Sequence, residues 1–356
     1  MDKIKVVHLL NTSSYSGAEN VAITLIKNLK NDVECTYVSP NGNISEVLKK
    51  NEINYYPLQN KTITVKEIRK MIEIIKPDII HAHDFTASIL SAITSYNVPV
   101  ISHLHNNPLW IKKINIKTIA YYLSVIKYKR VLTVSHSVVD EFCFGKNIKK
   151  KTMVIGNPFD IESVKEKSND YKVNEDYDLI FIGRLTEQKN PMILLDIINE
   201  LKGFIPTLKV AVIGDGELKH ELIDKIKENN LSEYIKLFGF VDNPFPILRK
   251  SKVLCIPSKW EGFGLVSLEA LSLGKPVVGS PVGGLVDIIN DKCGKLCKSL
   301  EDYVSEISKL INDCEYYESK KKGALQRVQS FNNIEEYKER ILDLYKEIDG
   351  GKNGNI

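Results

Sequence analysis

The feature that most constrains the fold is a rhythm that runs through the chain twice. Short, unbroken β-branched runs alternate with amphipathic stretches. In the first half the runs fall at residues 5–10, 33–38, 79–83, 100–105, 131–134 and 152–155. In the second half they fall at 179–183, 210–214, 235–238, 253–257 and 277–280. Continuous apolar strands are buried on both faces, and helices alternating with them make the sheets parallel. A chain of 356 residues, against about 100–200 for a typical domain, therefore predicts two doubly wound α/β domains facing a central cleft. The polar stretch 160–178 reads as linker, which places the domains at 1–165 and 166–333. A last helix follows at 334–347, and the tail 349–356 reads as disordered.

Hydrophobic residues make up 43% and charged residues 26%, enough apolar content for two cores and too much for disorder. No run approaches the roughly 18–20 apolar residues of a membrane span, and the first residues read as a strand, not a secretory leader. The six cysteines are scattered, and Cys293 and Cys297 have no second ligand pair to make a zinc site. Reduced core thiols in a cytoplasmic protein are the reading.

The charge is uneven. Residues 1–160 hold 21 Lys and Arg against 13 Asp and Glu, whereas the remainder holds 28 against 32. No acidic residue occurs between Asp84 and Asp140. That stretch carries Lys112, Lys113, Lys117, Lys127, Lys129 and Arg130, with Trp110, Tyr121, Tyr122 and Tyr128 among them. Cations beside aromatics suit an anionic membrane surface, and an ordinary solvated helix is the bland alternative. No nucleic-acid motif accompanies the patch, so nucleic acid is not expected as a partner.

In open α/β sheets ligands bind beyond the carboxyl ends of the strands, so the residues after each run are the candidates for chemistry. After the first run, Gly17 precedes a helix and could admit an anion to its amides. This is no G-x-G-x-x-G fingerprint, which argues against a dinucleotide enzyme. His81 and His83, then His103 and His105, alternate on two runs, with His105 at a strand mouth. Hydrogen-bonded structural histidines are favoured there over a metal site. In the second half Gly183-Arg184 and Lys189 lead into a helix at Pro191, and two cations at a cleft edge suit a diphosphate. Gly214-Asp215-Gly216-Glu217 turns tightly, and the segment ending Phe240-Val241 could set backbone against a nucleobase edge. The sharpest segment runs from Pro257 to Ala270, with Glu261 before the loop Gly262-Phe263-Gly264-Leu265 and Glu269 inside the following helix. Gly283-Gly284 forms a further close-approach loop.

In this order the motifs resemble those of the retaining, nucleotide-sugar-dependent glycosyltransferases of family 4, which have the two-domain GT-B fold. The resemblance spans Gly17 to the final helix, and its most specific part is the E-x7-E pattern from Glu261 to Glu269. It implies that Arg184 and Lys189 hold the donor diphosphate, that Glu269 binds the ribose, and that Glu261 faces the donor sugar. Phe263, Gly264 and Leu265 would offer amides, with Gly183, Gly216 and Val241 in the donor site. Gly17 would let the N-terminal loop approach the donor diphosphate, His105 would lie near the sugar as a catalytic residue of the acceptor half, and the final helix would cross back to the first domain. Two departures concern that half: Ser16-Gly17 stands where the family commonly has Gly-Gly, and Asn157-Pro158 where Asn-Gly is commoner.

The reading takes the site as lacking an Asp-x-Asp metal motif, so cations and helix-terminus amides would stabilise the leaving group, with no metal or cofactor. The expected partners are a nucleotide-sugar donor, UDP favoured, a lipid-linked glycan acceptor of the capsule or exopolysaccharide type, and the inner face of the membrane. Trp110, Lys112, Lys113 and Lys117 would meet that surface. A silent nucleotide-sugar-binding scaffold and a GT-B epimerase are the alternatives.

Overall fold

The computed structural model describes residues 3–13 and 17–353, with the backbone alone for 351–353. The chain divides into two compact units, one of residues 1–158 with 333–356, the other Phe159–Asn332. The second unit thus opens at Phe159, earlier than the boundary at 166 read from composition. Inside the supposed linker, Ile161–Lys167 is a helix: Asp160 accepts hydrogen bonds from the amides of Glu162 and Ser163, and Ile161 and Val164 are buried. A cap and two apolar anchors outweigh the polar composition around them.

The first unit holds a seven-stranded parallel sheet of β1 (Lys5–Leu9), β2 (Glu34–Pro40), β3 (Tyr55–Leu58), β4 (Ile79–Ala82), β5 (Val100–Leu104), β6 (Tyr128–Thr133) and β7 (Thr152–Val154), in the order 3-2-1-4-5-6-7. The second holds β8 (Tyr177–Ile182), β9 (Val210–Ile213), β10 (Ile235–Gly239), β11 (Ser251–Ile256), β12 (Val277–Gly279) and β13 (Gly294–Leu296), in the order 10-9-8-11-12-13. All registered pairs are parallel. Both sheets have the doubly wound order, which reverses between β1 and β4 and between β8 and β11, where such sheets bind ligands. Two strands, β3 and β13, lie outside the predicted runs. Both are short edge strands, and β3 carries Pro57, tolerated only because an edge need not donate on both sides.

The cores follow the predicted strands. Val6, Ile79, Ile101 and Leu132 from four neighbouring strands pack in the first unit, and Leu179, Phe181, Val210, Val212 and Val253 in the second. The last helix, Ile334–Asn353, joins the first unit by burying Tyr337, Ile341, Leu344, Tyr345 and Ile348. It runs through Asp349 to Asn353, so that much of the tail read as disordered is helical, while 354–356 lie outside the described residues. No described helix is long and apolar enough to cross a membrane.

Candidate functional site

In the second unit, β8 ends at Ile182 and the chain turns through Gly183 into a loop that carries Arg184 and Lys189. The Pro191–Leu201 helix then starts with Pro at its first turn, after Asn190 in a left-handed conformation. From the neighbouring β11 comes the second loop, Pro257–Gly264, which feeds the Leu265–Ser272 helix. The two loops are knitted together. Lys189 Nζ is paired with Glu261 Oε2, both largely buried, and Ser258 Oγ donates to the same oxygen at 3.4 Å. Arg184 donates to Gln188 Oε1 at 3.1 Å, and Gln188 Nε2 donates to the Trp260 carbonyl at 3.1 Å. The guanidinium itself is exposed. A cation pair and a carboxylate therefore stand at the switch point of this sheet.

Glycines make the loops fit. A Cβ on Gly283, which has φ +54°, would lie 1.5 Å from the Glu261 carbonyl oxygen, so only glycine lets this turn support the Glu261 loop. A Cβ on Gly216 would fall 2.5 Å from the Leu185 carbonyl oxygen. Gly216 thus serves the packing of the Arg184 loop, a structural reason for a glycine that the motif alone leaves open. Gly264 caps the Leu265–Ser272 helix with φ +89°. Phe263 is buried, and Val241, half-buried beyond β10, shares a cavity wall with Tyr171, Phe238 and Ile247.

Glu269 sits in the second turn of that helix, half-buried and without a hydrogen-bond partner among the described residues. Removal from water pushes its carboxyl up to about 7, against the pull of Lys167 and Lys189. It stays poised between charge states near neutrality. The chain does contain one Asp-x-Asp, Asp176-Tyr177-Asp178, contrary to the sequence reading. It stands at the amino end of β8, where Asp176 pairs with Lys250 and Asp178 with Lys252, each at 3.0 Å. This is the opposite edge of the strand from Arg184.

The first unit gathers five of the chain's seven histidines on one face of β1, β4 and β5. They form two rows. In one, His8 Nδ1 lies 3.0 Å from His83 Nε2, and His83 Nδ1 lies 3.0 Å from His105 Nε2. In the other, the Tyr345 hydroxyl lies 2.6 Å from His81 Nδ1, and His81 Nε2 lies 3.1 Å from His103 Nδ1. Burial holds all five pKa values below the usual 6.5, to about 3 for His8 and His105, so the rings are neutral. A neutral imidazole has one N–H, so each bond needs one donor and one acceptor. The three rings of the first row must then all carry the proton on Nδ1, or all on Nε2. His105, expected at a strand mouth, keeps its Nε2 on His83 and its Nδ1 buried. Two triads, His8–His81–His83 and His83–His103–His105, bring ring nitrogens within 4.8 Å of one another. Both nitrogens of His81 and of His83 already face hydrogen-bond partners, so the rows are bonded chains and not convergent ligand sets.

His8 and Gln188 carry no role in the sequence reading. Only the register His8↔His81 reveals the first. For Gln188, burial at the meeting of two loops is the signal, and no local pattern announces it. Gly17 begins the Gly17–Leu29 helix with open space around it, and Ser14–Ser16 before it lie outside the described residues. In the basic stretch Lys112, Lys113 and Lys117 are exposed, Trp110 is half-buried with Lys117 over its ring at 5.6 Å, and Lys112 pairs with Glu141. Two of the four aromatics expected beside the cations turn inward, whereas Trp110 stays beside Lys117 and Tyr122 is half-buried. Tyr121 and Tyr128 are core residues, Tyr121 packing on Phe85 and Phe142.

Residues 15–163 match the model of Glycosyltransferase Family 4, and residues 163–327 that of Glycosyl transferases group 1. The chain is similar to an uncharacterised glycosyltransferase of Methanocaldococcus jannaschii, 32% identical over 60% of this chain and 58% of that one. It is 26% identical, over 96% of this chain and 97% of the relative, to the Escherichia coli UDP-Gal:alpha-D-GlcNAc-diphosphoundecaprenol alpha-1,3-galactosyltransferase. The crystal structure of Anabaena HepE with UDP-glucose superposes with a TM-score of 0.84 at 19% identity, covering 97% of this chain and all of the other.

Proposed function

This chain is a glycosyltransferase of the GT-B fold, and from that premise we propose that it is a retaining, metal-independent enzyme that moves a hexose or N-acetylhexosamine from a UDP-sugar to a lipid-linked glycan acceptor in surface-glycan assembly. The observation that carries this reading is the meeting of Arg184, Lys189 and Glu261 at the switch point of the second sheet. The physical problem is to stabilise an oxocarbenium-like sugar while a nucleoside diphosphate departs. Arg184 and Lys189 offset the charge that develops on the leaving diphosphate, and the amides of Phe263, Gly264 and Leu265 add aligned dipoles. Glu261 holds Lys189 in place and lies where the sugar hydroxyls would arrive. The C1–O bond to the diphosphate breaks as the acceptor oxygen bonds C1 from the same face, and the acceptor proton passes to the leaving phosphate oxygen. UDP-linked relatives and neighbours favour uracil as the base, and the diphosphoundecaprenol acceptor of the E. coli relative favours a lipid-linked acceptor at the inner face of the membrane.

Glu269 is the ribose ligand in this reading, and its raised pKa gives the test. Calorimetric titration with UDP, GDP and ADP should find UDP tightest, with affinity unchanged by EDTA. UDP-glucose, whose diphosphate does not titrate in this range, should bind about fourfold more tightly at pH 8 than at pH 6.5, as the carboxyl ionises through about 7. Glu269→Gln should remove that pH dependence. Binding that needs a divalent ion, or a pH profile unchanged in the variant, contradicts the assignment.

A further inference from the structure

The amino edge of the second sheet is as charged as its carboxyl edge, and the donor-site reading uses none of it. Four adjacent strands begin there, in the order β9-β8-β11-β12. Lys209 precedes β9, Asp176 and Asp178 stand at the start of β8, and Lys275 precedes β12. Arg249 and Lys250 precede β11, and Lys252 lies in its first turn of chain. Together these side chains line a cavity of about 370 Å³. Its two carboxylates are already paired, Asp176 with Lys250 and Asp178 with Lys252, each at 3.0 Å. Lys209, Arg249 and Lys275 make no ion pair among the described residues, and Arg249 donates to the neutral Asn169 side chain. The cavity therefore carries three cations in excess.

Lys275 is the telling member, because it is half-buried whereas the other four cations are exposed. Arg249 and Lys250 act on it from the segment before β11, Lys321 from the Cys314–Val328 helix, and Asp176 from the start of β8. Of these only Asp176 is attractive, and it is bound to Lys250. Burial and the surrounding like charge hold the Lys275 ammonium down to about 8. A half-buried cation without its own counter-ion is costly, and a bound anion would offset that cost.

We propose that this cavity binds a small anion carrying two phosphoryl groups, at a site separate from the donor site. Neighbouring strands lie about 4.8 Å apart, so the chain at Lys209 and at Lys275 is separated by roughly 14 Å across three gaps, too far for one phosphate to bridge. One phosphoryl group takes Lys275 and Arg249, whose planar fork bonds two oxygens, and the other takes Lys209. The Arg184 and Glu261 loops leave the opposite ends of β8 and β11, roughly 20 Å along the strands, so one ligand cannot serve both sites.

Calorimetric titration with inorganic pyrophosphate tests this, with Arg184→Ala as the parent chain so that the donor site is weakened. Pyrophosphate should bind this parent at least about tenfold more tightly than inorganic phosphate. Adding Lys209→Gln should cut its affinity about tenfold, and adding Lys275→Met at least as much. Lys209 is exposed, so its variant should keep the parent's melting temperature. Lys275→Met removes an unpaired, half-buried charge and should not lower it. Pyrophosphate should raise the parent's melting temperature and leave that of the Lys209→Gln, Lys275→Met combination unchanged. No binding to the parent, equal affinity for phosphate and pyrophosphate, or binding that both lysine variants retain overturns the proposal. Tighter binding of a single-stranded oligonucleotide or an anionic vesicle through the same lysines gives the edge to a macromolecular partner and overturns it as well.

Discussion

The first unit should unfold in weak acid while the second survives. Four buried histidines and the half-buried His105 are held neutral, His8 and His105 with pKa values of about 3 and the other three well below 6.5. Each folded pKa is depressed below the unfolded value. The stability these residues contribute is therefore complete above pH 6.5 and is lost as pH falls below it. At pH 5.5 each unfolded histidine gains about 1.4 kcal/mol from protonation that His8 and His105 do not match in the fold, and His81, His83 and His103 act in the same direction. Asp84, in the same unit, has a raised pKa and opposes the trend by one group only. In the second unit Glu269 is raised, so acid relieves its burial. Calorimetry of the full chain from pH 8 to 5 should resolve two transitions, the lower one moving down steeply below pH 6.5. A single transition that stays in place between pH 7.5 and 5.5 would show that the rows can take up protons in the fold.

Arg184→Ala and Lys189→Ala should both cost orders of magnitude in turnover, and by different routes. Arg184 is exposed and its guanidinium hydrogen-bonds Gln188, with no ion pair to lose, so its removal should leave the melting temperature near that of wild type. A cation aimed at developing charge contributes about 3 kcal/mol to the barrier, roughly a hundredfold or more in kcat. Lys189 is different because its loss strands Glu261 as a buried carboxylate. That should destabilise the second unit by about 3 kcal/mol in addition to the loss of turnover. Lys189→Ala with Glu261→Gln should restore most of the stability and none of the activity. Near-normal turnover in either single variant, measured on folded protein, contradicts the diphosphate role.

The parallel sheets were legible because the central strands are short, mostly apolar runs alternating with amphipathic stretches, even where histidines interrupt β1, β4 and β5. The edges were not: Tyr55–Leu58 contains a proline and Gly294–Leu296 is three residues long, so each depends on its neighbour's hydrogen bonds more than on its own pattern. Arg184, Lys189 and Glu261 could be named because glycines and charges follow strand ends there. Their pairing could not, since 72 residues separate Lys189 from Glu261. Gly216 shows the reverse limit, a motif glycine whose nearest obstacle is the Leu185 backbone. The histidine rows needed register: diagonal contacts across three strands joined His8 to His83 and His83 to His105, a relation invisible along the chain. The surface helix misled in one respect, because tyrosines that read as partners for the cations pack inward and leave isoleucines outside.

The most direct test of the central claim is a transfer assay with purified protein, EDTA, and undecaprenyl-diphosphate-linked acceptors extracted from a surface-glycan-producing bacterium. A panel of labelled UDP-sugars is offered and the anomeric configuration of the product is read by NMR. The account predicts that one UDP-sugar labels the lipid fraction without added metal and with the donor's anomeric configuration kept. An inverted product, or transfer that EDTA stops, would contradict the mechanism. Tight UDP binding with no transfer to any lipid-linked or free sugar acceptor would contradict the enzyme assignment itself.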